Sequence, residues 1–440
     1  MLQSLKLHYL EPVRSFGRPA RLFLIMTIID GVIYSGWQLF FNFYMLQSGF
    51  SREFLGLVNS MPSAAALIFG ILLGRFSDRI GRRPALMIGI GFSSLCMLAE
   101  VTVRQPGLIV AAAFLNGIFN TLFLVSQAPL MMKLSGSQNR TMLFSLNWGL
   151  QTISGAVGSV FAGQLPAFFG TLLSVQEHSA TAYQAVLVTS VLVGSTSLLP
   201  LWFMREPRGQ ADAGLAGAAT PAGATATGGQ PLSKAIPRSL LALTAKMTAP
   251  QIAIGFGAAI LIPYMNVFFK DRFNISDSLL GWLFSFSSLL IGIGSIIVPH
   301  LSSRMGGKVR AIVATQTASL AFLLLAGFTP ILWLSSIGFL LRAALMNMAS
   351  PLYSAFCMER TPEQHQGFVN SILNLAWNIG WAVGPYISGV VQQRYGFTPL
   401  FVITAILYAL ANILTWGFFK GTEDSLPVSP AIVPATEFVD

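Results

Sequence analysis

Residues 74–86 read Gly-Arg-Phe-Ser-Asp-Arg-Ile-Gly-Arg-Arg-Pro-Ala-Leu. Two glycines, Gly74 and Gly81, bracket Asp78 and Arg79, and Arg82 and Arg83 follow. Long apolar runs flank the segment, at 54–76 and 84–103. Charge this dense between two such runs reads as a short loop joining two membrane-spanning helices.

The rest of the chain agrees. Hydrophobic residues make up 54% of the 440 residues and charged residues only 10%, against about 25% charged in soluble domains. Such a chain cannot cover a water-facing surface with charge, but it can face lipid. A spanning helix needs about 20 apolar residues. Twelve runs of that kind are read at 20–46, 54–76, 84–103, 106–132, 142–168, 181–203, 240–269, 278–300, 308–328, 330–356, 367–392 and 397–420. The strict alternation of lipid-facing strands is absent. The 34 Phe and 41 Gly suit close helix packing in a bilayer. No cleavable leader is expected, and the first span serves as the targeting signal.

The net charge of +10 is explained by topology and calls for no nucleic-acid partner. Lys and Arg concentrate in alternate loops, and Arg52, Arg104, Lys270, Arg272 and Arg394 are the ones that fall in the other set. The bias places both termini in the cytoplasm. Residues 213–229 are almost wholly Ala, Gly, Thr and Pro, the composition of a flexible linker. The expected organisation is a six-helix half at 1–204, a linker at 205–238, a second six-helix half at 239–421 and a tail at 422–440. The halves echo one another. Gly56 and Gly281, Gly81 and Gly306, Gly158 and Gly384, and Gly163 and Gly389 are 225 or 226 residues apart.

The 74–86 segment resembles the loop signature of the major facilitator superfamily, Gly-x-Leu-Ala-Asp-Arg-x-Gly-Arg-Arg/Lys. Gly74, Asp78, Arg79, Gly81, Arg82 and Arg83 match it, with Phe76 for Leu and Ser77 for Ala. The second half has Ser303 where Asp78 would recur. The resemblance covers 20–420. It implies an all-α membrane protein of two pseudo-symmetric halves, alternating access by rocking of those halves, and a cavity lined by helices 1, 4, 7 and 10. It further implies that Asp78 faces the start of helix 11 near Gly367. Arg79 or Arg82 is expected to pair with Glu359 or Glu363, latching the halves on the cytoplasmic side.

Asp30 is the sharpest single residue. It lies about 14 Å along the helix from Arg21, near mid-membrane, where an unpaired carboxylate is costly and marks function by default. Tyr34, Trp37 and Gln38 follow on its face. The alternative is a structural carboxylate capped by neighbouring hydroxyls or an arginine. Arg342, with Met346 on its face, stands at similar depth in helix 10. It either pairs with Asp30, holds an anionic solute, or bonds backbone carbonyls to fix its helix. Asn116 and Asn120 share a face of helix 4, and Asn374 and Asn378 one of helix 11. Such amides serve as solute contacts or as interhelical glue. Tyr264 and Asn266 follow a kink at Pro263.

Exporter marks of the family are incomplete. Ala113 stands where an Arg often precedes Gly117, and Gly155–Ser159 lacks the usual Pro. His8, His178, His300 and His365 have no metal-ligand spacing. Cys96 and Cys357 imply no disulfide framework. With no phosphate-binding glycine loop, ATP, a metal, a cofactor and catalytic residues are all set aside, and the chain is not read as an enzyme. The reading is a monomeric, multi-pass inner-membrane transporter. It moves a small molecule, coupled to protons through Asp30, with export of amphipathic or drug-like solutes preferred. An uncoupled or uptake facilitator for a solute or cation, a lipid translocator of the same fold, and a non-transporting receptor remain as alternatives.

Overall fold

The structure is a computed structural model that describes residues 16–135, 140–204 and 237–421. The expected tail at 422–440 and all but the end of the expected linker lie outside the described residues, as do the side chains of Ser303 and Glu363. The described residues are helical and contain no strand. Twelve segments follow in order: α1 (Arg18–Gln47), α2 (Arg52–Ile80), α3 (Arg82–Thr102), α4 (Pro106–Leu134), α5 (Arg140–Leu172), α6 (Ala180–Phe203), α7 (Arg238–Phe273), α8 (Asp277–Arg304), α9 (Lys308–Phe328), α10 (Leu332–Glu359), α11 (Gln366–Tyr395) and α12 (Thr398–Phe419). All but α11 are long and apolar enough to cross a membrane. The run of Asn370, Asn374, Asn378, Gln392 and Gln393 lowers the hydropathy of α11. At 30 residues, α1 is about 45 Å long, ample for a hydrocarbon core of about 30 Å. Exposed Ile68, Ile71, Leu95, Phe161, Trp202, Trp333, Ile406 and Ile413 make the outer surface one that only lipid can cover.

Local chemistry sets the ends. Ser51 accepts a hydrogen bond from the Phe54 amide at the start of α2, and Ser276 does the same for Leu279 at the start of α8. Glu53 and Asp277 sit in those first turns, where a helix favours negative charge. Gly81, alone between α2 and α3, takes φ 95°, a conformation that side chains with a Cβ resist. Pro263 interrupts α7 as expected, through a 3₁₀ turn at Ile262–Tyr264.

Packing follows a two-fold pattern. In the first half α1 lies on α5 and α6, and α4 on α2 and α3; in the second, α7 lies on α11 and α12, and α10 on α8 and α9. The halves meet where α2 crosses α11 and α5 crosses α8. The loops joining α2 to α3, α4 to α5 and α8 to α9 define one end of the bundle, here the linker face; the other end is the distal face. At the distal end, buried apolar side chains of both halves merge into one cluster, from Leu39–Met45 through Tyr183 to Ile260–Phe269 and Phe401. Near the linker face the clusters are separate. One belongs to the first half, around Phe23, Leu86 and Leu130, and one to the second, around Met247, Ile312 and Phe356.

Candidate functional site

The distal ends of the halves are clasped where α1 meets α7. The Asn42 amide donates to the Pro263 carbonyl at 2.6 Å and to Asn266 Oδ1 at 3.0 Å. The Asn266 amide returns a bond to the Leu39 carbonyl at 2.8 Å. Each asparagine thus reaches the carbonyl three residues before its counterpart, a reciprocal pair about the two-fold. Asn59 adds a bond to Asn42 Oδ1 at 3.2 Å. Tyr264 is fully buried beside this clasp, its hydroxyl on the Pro385 carbonyl at 3.0 Å.

The two helix crossings beside the clasp are lined by glycine. A Cβ on Gly281 would stand 2.5 Å from the Ser159 carbonyl and 3.0 Å from Gly163 Cα. A Cβ on Gly56 would strike the Pro385 carbonyl and stand 3.2 Å from Gly389 Cα, and one on Gly389 would strike the Arg52 carbonyl. Of the glycines that repeat along the sequence, Gly56, Gly281, Gly163 and Gly389 touch across the two halves, whereas Gly158 and Gly384 pack against α1 and α7 of their own halves. Polar groups bridge both crossings. Arg52 pairs with Asp271 at 2.6 Å, and the Tyr386 amide and hydroxyl bond Ser60 and Glu53. Tyr183 donates to Asp277 at 3.0 Å, and Gln164 donates to Ser278.

Below the clasp, α1 presents Asp30, Tyr34 and Gln38 at four-residue spacing on one face. Tyr34 is 64% exposed in mid-helix, and Gln38 is exposed. Trp37 is half-buried, stacked on Phe41 at 4.7 Å. The nearest polar partner of Asp30 is the Gln151 amide of α5, at 3.5 Å. That is long for a strong hydrogen bond and supplies no positive charge. An exposed tyrosine, a glutamine and a weakly held carboxylate along one helix face form a surface that can meet water and a polar solute.

The other expected cavity residues divide. Asn120 is exposed on α4. Asn374 and Asn378 are half-buried on α11 and donate back to the Asn370 and Asn374 carbonyls at 2.9 Å, which leaves their side-chain oxygens available. Asn116 instead faces α3, accepting from Ser93 at 2.6 Å and donating to Glu100 at 3.1 Å. Tyr264 and Asn266 belong to the distal clasp. Arg342 is 5% exposed; it donates to the Tyr408 hydroxyl at 3.0 Å and does not meet Asp30. It points into the packed interior of the second half, where Tyr408 offers both a hydroxyl and a ring face. Met346 is buried with it.

The linker-face loop also departs from expectation. Arg82 pairs with Asp78 one turn away, and Glu359 pairs with Lys308 of its own half. The expected cross-half pairing of Arg79 or Arg82 with Glu359 is not formed, and Glu363 lies outside the described side chains. Asp78 makes its hydrogen bond to Arg82 and none to the first turn of α11. The distribution of the core gives the reason: joined distally, the halves keep separate clusters here, so each charge takes a neighbour on its own half. Gly74 is buried against the bundle, and Arg79 is exposed.

Sequence reasoning missed Glu100, Gln151, Asn42 and the Asp277 cluster. Glu100 stands two residues from the end of α3. Its side chain is buried and points back along the helix to Asn116.

The chain is similar to known proteins in sequence and in fold. The chain is 24% identical over 386 residues to the uncharacterised MFS-type transporter YhhS of Escherichia coli K12, covering 86% of this chain and 87% of that one. It is 22% identical over 420 residues to the class H tetracycline resistance protein of Pasteurella multocida, covering 93% and 98%. The crystal structure of a point mutant of the nucleoside transporter NupG shares the fold at a TM-score of 0.70 and 15% identity, covering 91% of this chain and 100% of that one. The model of the Major Facilitator Superfamily matches twice, over residues 23–249 and 247–437, once for each half. The chain belongs to the Major Facilitator Superfamily.

Proposed function

We propose that this member of the superfamily is a proton-coupled exporter of amphipathic solutes, seen with its distal gate closed. The observation that carries the coupling is Asp30, a carboxylate inside a spanning helix with a neutral amide as its polar partner and an exposed tyrosine one turn along. A carboxylate so placed exchanges a proton at lower cost than it keeps a permanent charge. The positive-inside bias makes the linker face cytoplasmic and the distal face external. On that assignment the clasped state faces inward, and rocking about the crossings α2–α11 and α5–α8 opens the other side. Export is supported by the aromatic and amide character of the exposed α1 face and by the likeness to a tetracycline resistance protein over nearly the full length.

The test starts with ligand stabilisation of the purified protein against a panel that includes tetracycline and uridine. A ligand at a hundredfold excess over its Kd adds about 2.7 kcal/mol. The stabilising compound then enters proteoliposome transport with and without an imposed pH gradient. Wild type should accumulate it uphill only with the gradient. Asp30→Asn should lose uphill transport and retain exchange at equal pH, because Asn mimics the protonated carboxyl. Full gradient-driven accumulation by Asp30→Asn would remove the coupling role.

A further inference from the structure

Three asparagines of the second half hold their amides in the same way. The Asn347 amide on α10 donates to the Ala343 carbonyl at 2.8 Å, and those of Asn374 and Asn378 on α11 donate to the Asn370 and Asn374 carbonyls at 2.9 Å. A backbone carbonyl only accepts, so the NH2 end of each amide is the end that faces its own helix. The side-chain oxygen is turned outward, and none of the three oxygens has a partner among the described residues. Each NH2 keeps a second hydrogen, so donors are present; the excess is of acceptors.

Helix geometry says where these oxygens point. Asn347 stands nine residues, about two and a half turns, from Gly338, which packs on Ala326 of α9. Asn347 is therefore on the opposite side of α10, and it is exposed. Asn378 shares a face with Pro385 and Gly389, at i+7 and i+11, the face on which α11 meets Gly56 and Arg52 of α2. Asn374 lies one turn nearer the linker face. Both amides thus look toward the first half, below the crossing, where the buried clusters of the two halves are separate.

The charges at that level are unbalanced. Away from the ends of the spans the described residues hold Asp30, Glu100 and Arg342. Glu100 is buried on Asn116, and Arg342 is buried on Tyr408. Arg21 and its repeat counterpart Lys246 are exposed, but Arg21 stands nine residues, about 14 Å, toward the linker face from Asp30, and Lys246 stands 225 residues on from Arg21. The space between the halves is therefore faced at mid-depth by one carboxylate, by the 64% exposed ring of Tyr34 and by outward amide oxygens. A positive charge is attracted there by the carboxylate and by the ring face. A negative charge meets a like charge and an excess of acceptors, which selects against it.

We propose that the solute is an amphipathic organic cation carrying N–H donors: Asp30 and Tyr34 read its charge, and the oxygens of Asn347, Asn374 and Asn378 read its donors. This rests on the transporter reading above and narrows its substrate class. The test is equilibrium dialysis of the full chain in lipid nanodiscs at pH 8, with empty nanodiscs as the blank. The probes are ethidium, a cation with two NH2 groups; tetraphenylphosphonium, a cation with no donor; and tetraphenylborate, an anion of the same shape. Wild type should bind both cations and reject the borate. Asp30→Asn should weaken both cations by about tenfold or more, the effect of a lost bond to a charged group. The triple variant Asn347→Leu, Asn374→Leu, Asn378→Leu should weaken ethidium by about tenfold and leave tetraphenylphosphonium within about twofold, which also shows that it folds. Borate bound as tightly as phosphonium, no cation bound by wild type, an Asp30→Asn protein of unchanged affinity, or equal ethidium binding by wild type and the triple variant each overturns the proposal. Binding at fixed pH needs neither coupling nor export. Cations that bind but are not driven by a pH gradient would remove the proton coupling and leave this inference standing; gradient-driven movement of an anionic solute would do the reverse.

Discussion

The first half places Asp30 against Gln151 where the second half, 225 and 226 residues on, places Gly255 against Trp377. In the first, a carboxylate lies 3.5 Å from an amide; in the second, a Cβ on Gly255 would lie 3.3 Å from Trp377 Cα. The same contrast recurs elsewhere. Asn116, bonded to Ser93, corresponds to Arg342, whose carbonyl receives Ser319 at 3.0 Å. Asp78 corresponds to Ser303. What the halves share is backbone approach: Gly56 with Gly389, Gly281 with Gly163, Asn42 with Asn266. The difference teaches that the joint between halves is symmetric while the ionisable chemistry is not. A rocking movement needs two matched hinges, but a single carboxylate suffices to bind a proton.

The comparison can be broken first at the glycines. Gly281→Ala and Gly56→Ala each insert a methyl against backbone, and overpacking of that kind costs about 1–3 kcal/mol. If the crossings part at their distal ends as proposed, the collision is confined to the closed state, and the penalty should appear as a shift toward distal opening of roughly 5- to 150-fold. Thiol labelling of a cysteine placed at Asn59, in a background lacking Cys96 and Cys357, reads this out. Gly107→Ala, with open space around it, should change nothing. Equal labelling in all three variants would show that the crossings do not form the gate.

A smaller effect is expected at the clasp. Asn42→Ala and Asn266→Ala each remove ordinary hydrogen bonds, worth about 0.5–1.5 kcal/mol apiece. Their double-mutant cycle should show coupling in the gate equilibrium, since residues in one network are not additive. Strict additivity would mean that the two amides act independently and that the two-fold reciprocity has no energetic content. The smallest effects belong to the linker face. Arg82→Ala and Lys308→Ala break half-exposed pairs within one half, and such pairs contribute about 0.2–1 kcal/mol. Thermal unfolding should barely move. A large loss from either would point to a cross-half role in the opposite state.

The fold was legible in the sequence because lipid imposes a long apolar period and a charge bias that few other environments demand. Gly81 at positive φ and the repeat of glycines carried the loop and the two halves. The site was less legible, because an amide at membrane depth is satisfied equally by a cavity or by a partner helix. Asn116 and Asn120 share a face of α4 in the sequence, yet one is taken by Ser93 and Glu100 while the other stays exposed. Arg342 looked like a partner for Asp30 at equal depth, but depth does not reveal that its helix turns it toward Tyr408. His178 and Asp277 are 99 residues apart and meet only through the packing of α5 against α8.

The central claim is that closure at one face and opening at the other are a single rigid-body movement. It is tested most directly by measuring both faces of the Gly56→Ala, Gly281→Ala double variant. One pair of spin labels stands at the distal face, at Gln47 and Ile331, and a second pair at the linker face, at Arg79 and Arg304. The account predicts that the distal distance lengthens relative to wild type and that the linker-face distance shortens in the same proportion of molecules. A distal distance that lengthens while the linker-face distance stays at its wild-type value would contradict it.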